Sequence, residues 1–324
     1  MSQDPLSDIL RALRMKGTIY FRTDFNPPWG VAVPEFSNVA RFHLAARGSC
    51  WVRVEGEEQP VHLAQGDLIV IPHGAAHVLA DEPDREPTSL DDVLETSGFQ
   101  GTGALVYGGE DGGRSTQLIC GHFAFDDTAI HPLLEALPRY IHISGSESLN
   151  NAWLESAMKF ISVESLGGKP GSDAVVHRLS EIIFIQAVRV YVDRMGSDAG
   201  SLAGVADPQI GRALGAMHSS PQAPWTVEAL AREAGMSRTA FAVKFAQLIG
   251  MTPHNYLTQW RMQEASRKLR ETRESILTVA EHAGYRSEAA FNRAFKKWFD
   301  ATPASYRRAL HRGLARIRAS SFAE

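Results

Sequence analysis

Displacing residues 226–256 forward by 50 positions lays Ser237 on Ser287, Phe241 on Phe291, Phe245 on Phe295, Thr252-Pro253 on Thr302-Pro303 and Tyr256 on Tyr306. Such self-similarity means one supersecondary unit built twice, and no other feature of the 324 residues narrows the fold as much. Each copy opens with apolar residues at i, i+3, i+4 and i+7: Val227, Leu230, Ala231 and Ala234 in the first, Ile276, Val279, Ala280 and Ala283 in the second. That period is one face of a short amphipathic helix. A tight turn follows, "GMS" (235–237) or "GYRS" (284–287), whose Ser can cap the next helix. The next helix carries one apolar stripe, Phe241-Phe245-Leu248 or Phe291-Phe295-Trp298, and leaves its other side polar and basic. Helix, Gly-containing turn, helix is the pattern whose second helix enters a DNA major groove. "YLTQWRMQEASRKL" (256–269) reads as a helix joining the copies.

The two copies, "LAREAGMSRTAFAVKFAQLIGMTPHNYLTQWRMQEASRKL" and "ILTVAEHAGYRSEAAFNRAFKKWFDATPASYRR", closely resemble the AraC/XylS family of bacterial transcription regulators. The resemblance implies two helix-turn-helix units on one face, set into successive major-groove segments of double-stranded promoter DNA. Carried onto this sequence, it places the DNA contacts at the start and exposed face of each second helix. In copy one these are Arg238, Thr239, Ala242 and Val243; in copy two they are Glu288, Ala289, Asn292 and Arg293. Arg293 can fork onto a guanine O6/N7 pair and Asn292 can pair with an adenine edge, each worth roughly 1–3 kcal/mol of discrimination. Ala242 and Val243 stand where longer polar side chains are common in the family. They can touch thymine methyls but form no bidentate bond, so copy two is expected to supply more of the hydrogen-bonded readout. Lys244, Arg286, Lys296 and Lys297 are candidates for phosphates, which position a protein without carrying sequence information. Asp300 departs from the family, which usually has Gly there, and a less tightly turned helix end is expected.

Charge supports a division of labour. From Asp207 onward there are 18 Lys and Arg against 10 Asp and Glu, whereas residues 1–206 hold 15 against 27. A basic module with a polyanionic partner is joined to an acidic module with another task. No apolar run approaches the roughly 18–20 residues needed to span a bilayer, and "MSQDPLSDILRALRMKG" lacks the apolar core of a secretory signal. Two cysteines, Cys50 and Cys120, are too few for a disulfide scaffold, so a cytoplasmic protein without membrane partners is expected.

Residues 17 to 125 are strand-like. "GTIYF", "RFHLAA", "SCWVRVEG", "QPVHL", "DLIVIP", "GALVYGG" and "STQLICGHFAF" are short β-rich runs between Gly, Pro and acidic turns, the spacing of a β-sandwich or barrel. "DEPDREPTSLDDVLETSG" (81–98) reads as an exposed loop. "GDLIVIPHGAAH" (66–77), with the spacing G-x5-P-x-G-x2-H, resembles the second motif of the cupin superfamily of small β-barrels. The paired His and the Glu of the first cupin motif have no counterpart in "VPEFSNVARFHLAARGSCWVRV", where Arg41 takes the place of the acidic ligand and His43 alone remains. That departure weighs against an iron or manganese enzyme.

A different constellation stays open. His43 and His77 should face the barrel interior, and Cys120 and His122 share a strand face. His43, His77 and Cys120, with His122 as a possible fourth, suit Zn²⁺ or another transition metal; His73 should point away. The front half, with "RFHLAARGSCW", "GDLIVIPHGAAH" and "QLICGHFAF", resembles the cupin-type sensor of one AraC branch, which includes regulators responding to reactive chlorine and other oxidants through cysteine. A redox role for Cys50 and Cys120 is therefore open too, and is compatible with metal binding because oxidising a bound thiolate releases the metal.

Beyond the barrel, "NNAWLESAMKFISVESL" puts Trp153, Ala157 and Ile161 at i, i+4, i+8, and "SDAVVHRLSEIIFIQAVRVYVDRM" (172–195) is apolar on more than one face from Ile182 to Val192. One face can cover the barrel and the other a second subunit. The expected architecture is α+β and multidomain. A cupin-like sensor β-barrel with flanking helices (1–145) precedes a helical dimerisation segment (146–195), a Gly/Ser/Ala/Asp linker (196–208) and an all-α domain with two helix-turn-helix units (209–311). The expected function is a sequence-specific DNA-binding regulator, an activator engaging RNA polymerase as a homodimer, controlled by a small ligand, metal or oxidant. It is not expected to be an enzyme; the rival from another class is a metal-dependent cupin enzyme fused to a DNA-binding module.

Overall fold

A computed structural model describes residues 4–13, 16–101, 103–109, 114–125, 132–146, 170–196 and 201–309, with isolated positions between 153 and 164. The chain divides into two compact units: one of residues 13–127 and 133–199, the other of residues 1–12, 128–132 and 200–324.

The first unit is two facing sheets. Strands β1 (Lys16–Asn26), β3 (Val39–Arg47), β6 (Leu68–Ile71), β9 (Ala104–Gly108), β10 (Gln117–Ala124) and β11 (Ile141–Ile143) form one, in the order β11-β6-β3-β10-β1-β9. Strands β2 (Gly30–Val33), β4 (Cys50–Val54), β5 (Val61–Leu63), β7 (His77–Ala80) and β8 (Thr88–Ser89) form the other, in the order β5-β4-β7-β2-β8. The expected barrel is cupin-like but not closed. The edges of the smaller sheet are strands of three and two residues, too short to bridge to its partner. Residues facing inward alternate along each strand, and Trp29, Val31, Val52, Leu63, Ile69, Leu79 and Leu118 fill the space between the sheets.

The acidic stretch 81–98 is not all loop. Ser89 caps a helix α2, Leu90–Ser97, by accepting from the Asp92 amide, and Val93 inserts into the intersheet core. Short strands β2, β7 and β11 add to those expected from the sequence.

Outside the larger sheet lies the long helix Ser172–Met195. A methyl group at Gly17 would sit 2.4 Å from the Ser180 Cβ, so glycine is what lets β1 and this helix meet. Phe184 packs tilted against Phe123 at 5.1 Å, which in turn stacks on Phe42 at 5.0 Å. Ile183, Phe184, Ala187 and Val188 are buried, whereas Ile182 and Val175 remain exposed. The helix expected over 150–166 falls mostly outside the described residues. Of those described there, positions 153, 156, 157, 160, 161 and 164 are helical, and Ala157 and Ile161 are buried.

The second unit is helical. Helix α1 (Pro5–Leu13) belongs to it and not to the sheets; Ile9 is buried, and the Asp8 carboxylate lies 3.7 Å from His218 Nδ1. Part of the expected linker is ordered as a helix, Ser201–Ala206, ending on Asp207, which caps the helix Pro208–Ser219. The first repeat copy is Val227–Ala234 and Arg238–Ile249; the second is Ile276–His282 and Glu288–Phe299; Pro253–Glu271 joins them. Each copy has its own core. Phe241 and Phe245 pack with Leu230, Ala231 and Leu214, and Phe291 and Phe295 pack with Val279, Ala280 and Leu269. Both apolar stripes close one residue later than expected. Ile249 is buried where Leu248 is only half-buried, and Phe299 packs on Phe295 and Tyr306 while Trp298 is exposed. A helix has 3.6 residues per turn, so i+8 returns to the stripe nearly as well as i+7. Asp300 takes the left-handed conformation (φ 50°) that Gly250 takes in the first copy (φ 79°), so the turn is kept without glycine. Among the described residues, no helix is long and apolar enough to cross a membrane.

Candidate functional site

The residues expected to read DNA stand on helices whose starts are fixed by side-chain caps. Ser237 Oγ accepts from the Ala240 amide and Ser287 Oγ from the Ala290 amide, satisfying donors that a helix start leaves without partners. Burying Phe241/Phe245 and Phe291/Phe295 turns the remaining face outward. Arg238, Thr239 and Val243 are exposed in copy one, with Ala242 half-buried. In copy two Arg286, Glu288, Ala289, Arg293, Lys296 and Lys297 are exposed, and Asn292 is half-buried. Asn292 Oδ1 is buried and has no hydrogen-bond partner among the described residues. The joining helix of 19 residues is about 28 Å long, close to the ~34 Å between successive major-groove segments on one side of B-DNA.

Lys244 departs from the phosphate role expected for it. Its Nζ lies 2.7 Å from Asp207 Oδ2 and donates to Gln209 Oε1 at 3.0 Å. It pins the second helix of copy one to the start of the helix Pro208–Ser219. Arg238 is paired with Glu228, both largely exposed. Arg261, which the sequence does not distinguish from its neighbours, donates to the carbonyls of Pro221 and Ala223 and serves the fold.

In the sheet unit, antiparallel register sets Cys120 directly opposite His43. The two are joined at 3.1 Å between Sγ and Nδ1, and His43 Nε2 reaches His77 Nε2 across the sheets at 2.8 Å. His77 Nδ1 lies 2.8 Å from the Ala75 carbonyl oxygen. The carbonyl can only accept, so His77 carries its proton on Nδ1. Burial, opposed by that bond and reinforced by Arg41, lowers His77 to about 4, so the ring is neutral and its Nε2 is an acceptor. His43 must then donate from Nε2. It too is held well below its ordinary value, by burial, His77 and Arg41, which leaves Nδ1 to accept from the Cys120 thiol. Burial, and then Cys50, push the Cys120 thiol up and keep its proton in place. One directional chain follows: Cys120 S–H to His43, His43 N–H to His77, His77 N–H to the Ala75 carbonyl.

This geometry corrects the metal expectation. Cys120 and His77 occupy opposite nitrogens of one imidazole, so their donor atoms do not converge on a common point. An ion between the two Nε2 atoms would displace the proton they share and would still be out of reach of Cys120. Among the described residues, no group of three or more His, Cys, Asp or Glu side chains is arranged to hold a metal ion. His122 pairs in register with Arg41 and is not part of the chain. His73 turns away, its Nε2 2.9 Å from the Leu137 carbonyl. Cys50 is a free, buried thiol of the same intersheet core, pushed by burial to about 12. The Ala75 carbonyl, which anchors the chain, carries no sequence signal.

Comparison with known proteins agrees with both halves. A family model described as Cupin matches residues 4–193, and one described as Helix-turn-helix domain matches residues 230–309. An AraC-like transcription regulator of Streptomyces lividans is 30% identical over 313 residues, covering 94% of this chain and 98% of its own. The chain belongs to the AraC-like transcription regulators. As such it is a sequence-specific DNA-binding protein, with double-stranded DNA as a partner. The HTH-type transcriptional regulator AlkR of Acinetobacter baylyi is 31% identical over 279 residues, 82% of this chain and 86% of its own. The RCS-specific HTH-type transcriptional activator RclR of Escherichia coli is 28% identical over 309 residues, 94% of this chain and 97% of its own.

Proposed function

We propose that this AraC-like regulator is a homodimeric activator whose operator affinity is set by the chemical state of Cys120. The supporting observation is the Cys120–His43–His77 chain, three polar side chains joined across a largely apolar core in which Arg41 and Thr23 are the neighbouring buried polar side chains. A buried network of this kind stabilises only while every member is satisfied. The free space beside Arg41, His43 and Cys120 is about 20 Å³, the volume of about one water, so the reagent that reaches the thiol is of that size. Hypochlorous acid, reacting at the sulfur as His43 Nδ1 takes the thiol proton, would leave a sulfenic acid and release chloride, remove the S–H···Nδ1 bond and leave His43 to repartner. The likeness to an activator named RCS-specific agrees with this reading. Because its donors form a chain rather than a ligand set, the sheet unit acts as a sensor and not as a metal-dependent enzyme, and no Zn²⁺ is assigned to it.

In the DNA-binding unit, Arg238, Thr239, Ala242 and Val243 of copy one and Glu288, Ala289, Asn292 and Arg293 of copy two face the bases. Arg286, Lys296 and Lys297 face phosphates. The exposed Ile182 and Val175 on the long helix supply the apolar contact of a dimer, which raises the effective concentration of the second DNA-binding unit. RNA polymerase is the partner of the bound activator. The test is operator binding by the full chain before and after one equivalent of hypochlorous acid. An affinity change of at least tenfold that Cys120→Ser abolishes supports the reading. Unchanged affinity, or the same change in Cys120→Ser, rejects it.

A further inference from the structure

The space beside Cys120 is too small for an organic effector, but a much larger one lies at the end of the sheets. Where β2 and β4 finish and β7 begins, beside the start of α2, a groove of about 510 Å³ opens, within the range of small-molecule sites. Register explains its shape. Val33, His77 and Val54 stand side by side on the core face, while Ala32, Val78 and Arg53 stand side by side on the other. The groove contains all six and so wraps the strand ends.

Its wall is apolar and its rim is anionic. Val33, Val54, Val78 and Leu90 supply the apolar surface, and Glu55, Glu57 and Asp91 supply three exposed carboxylates. Arg53 also lines the groove, but its guanidinium donates to the Pro83 and Arg85 carbonyls. Arg139 stands near Glu57, at 3.9 Å, and donates to the Glu55 carbonyl rather than its carboxylate. Among the described residues, neither Glu55 nor Asp91 forms an ion pair.

We infer that this groove binds a small organic cation with an apolar body, such as an alkylammonium. The alkyl portion covers the valines and Leu90, removing apolar surface from water. The ammonium faces Glu55 and Asp91 at the rim, where an anion of the same shape meets like charge. The site also has a route to the sensing chain. Leu90 lines both the groove and the small space beside Cys120, and His77 both lines the groove and accepts from His43. The effect of an occupant on transcription rests on the regulator reading above; its binding does not.

The experiment is calorimetric titration of the full chain with decyltrimethylammonium below its micelle-forming concentration. Decanoate and tetramethylammonium serve as the reversed-charge and charge-only controls. The expected result is saturable binding of one decyltrimethylammonium per chain, with the controls at least tenfold weaker. Glu55→Gln combined with Asp91→Asn should weaken it at least tenfold while the far-UV circular dichroism stays unchanged. Equal binding of decanoate, or full affinity in that double variant, overturns the site. Sedimentation showing that the probe displaces a second copy of the chain also overturns it, because the groove is then a subunit contact. Operator affinity is measured in parallel. Probe binding without any change there refutes the coupling and keeps the site, and a chain that binds no operator with or without probe refutes the regulator reading alone.

Discussion

His77→Leu is the sharpest perturbation of the buried chain, because it removes the only acceptor that His43 Nε2–H has within it. His43 is 3% exposed, so only the single water that fits the space beside it can stand in for the lost partner, which sets the lower end of the cost. A buried donor left without a partner costs about 1–3 kcal/mol, and Leu is close enough in volume to His that cavity effects stay secondary. For a unit of this size each kcal/mol moves the melting temperature by roughly 2–4 °C, so scanning calorimetry of the full chain should show the sheet unit melting about 2–12 °C lower. The decisive comparison is the cycle with His43→Leu. In the double variant both imidazoles are gone, and the polar groups left are the Cys120 S–H, a weak donor, and the Ala75 carbonyl, which His77→Leu alone already frees. The double variant should therefore be less destabilised than the sum of the single ones by about 1–3 kcal/mol. Strict additivity would refute the chain as a coupled unit and return both histidines to the status of independent core residues.

Other consequences are as direct. Both imidazoles have folded values below the unfolded 6.5, so the unfolded chain binds protons first; stability should fall as the pH drops below about 6.5, with His77's share, on the order of 3 kcal/mol, complete by about pH 4. Melting temperatures across that window check this, and the slope should flatten in the His43→Leu, His77→Leu double variant. Arg293→Ala should relax base preference at one operator position by about 1–3 kcal/mol, whereas Lys296→Ala should weaken all sequences alike and reduce the salt dependence by about one phosphate contact; competition titrations at several salt concentrations separate the two. Lys244→Met should lower the stability of the DNA-binding unit by up to about 1 kcal/mol and leave the salt dependence unchanged, since its ammonium serves Asp207 and Gln209.

The helical half was readable because its determinants are local. Periodicity at i, i+3, i+4, i+7, a capping Ser and a turn Gly all lie within one repeat, and repetition of the pattern excludes coincidence. The cores around Phe241 and Phe291 follow from that pattern alone. In the front half the face of each strand was legible from its period of two, which brought His43, His77 and Cys120 to the interior. What the period does not encode is register across the gap between sheets. Whether three inward side chains converge on a point or hand protons along a line depends on that register, and the line is what formed. Helix α2 escaped notice because its acidic, Pro-rich approach resembles loop, although Ser89 and Asp92 carried the spacing of an N-cap. Lys244 looked like a phosphate ligand because its partner, Asp207, is distant in sequence and joined only by tertiary packing.

Methylation protection of guanine N7 on the operator, read at single-base resolution with the full chain bound, probes the heart of the account, because N7 lies in the major groove. Two helix-turn-helix units at the ends of one helix should shield two clusters centred about 10 base pairs apart, on one side of the duplex. A single shielded cluster, or two clusters offset by about half a turn, about 5 base pairs, would contradict it.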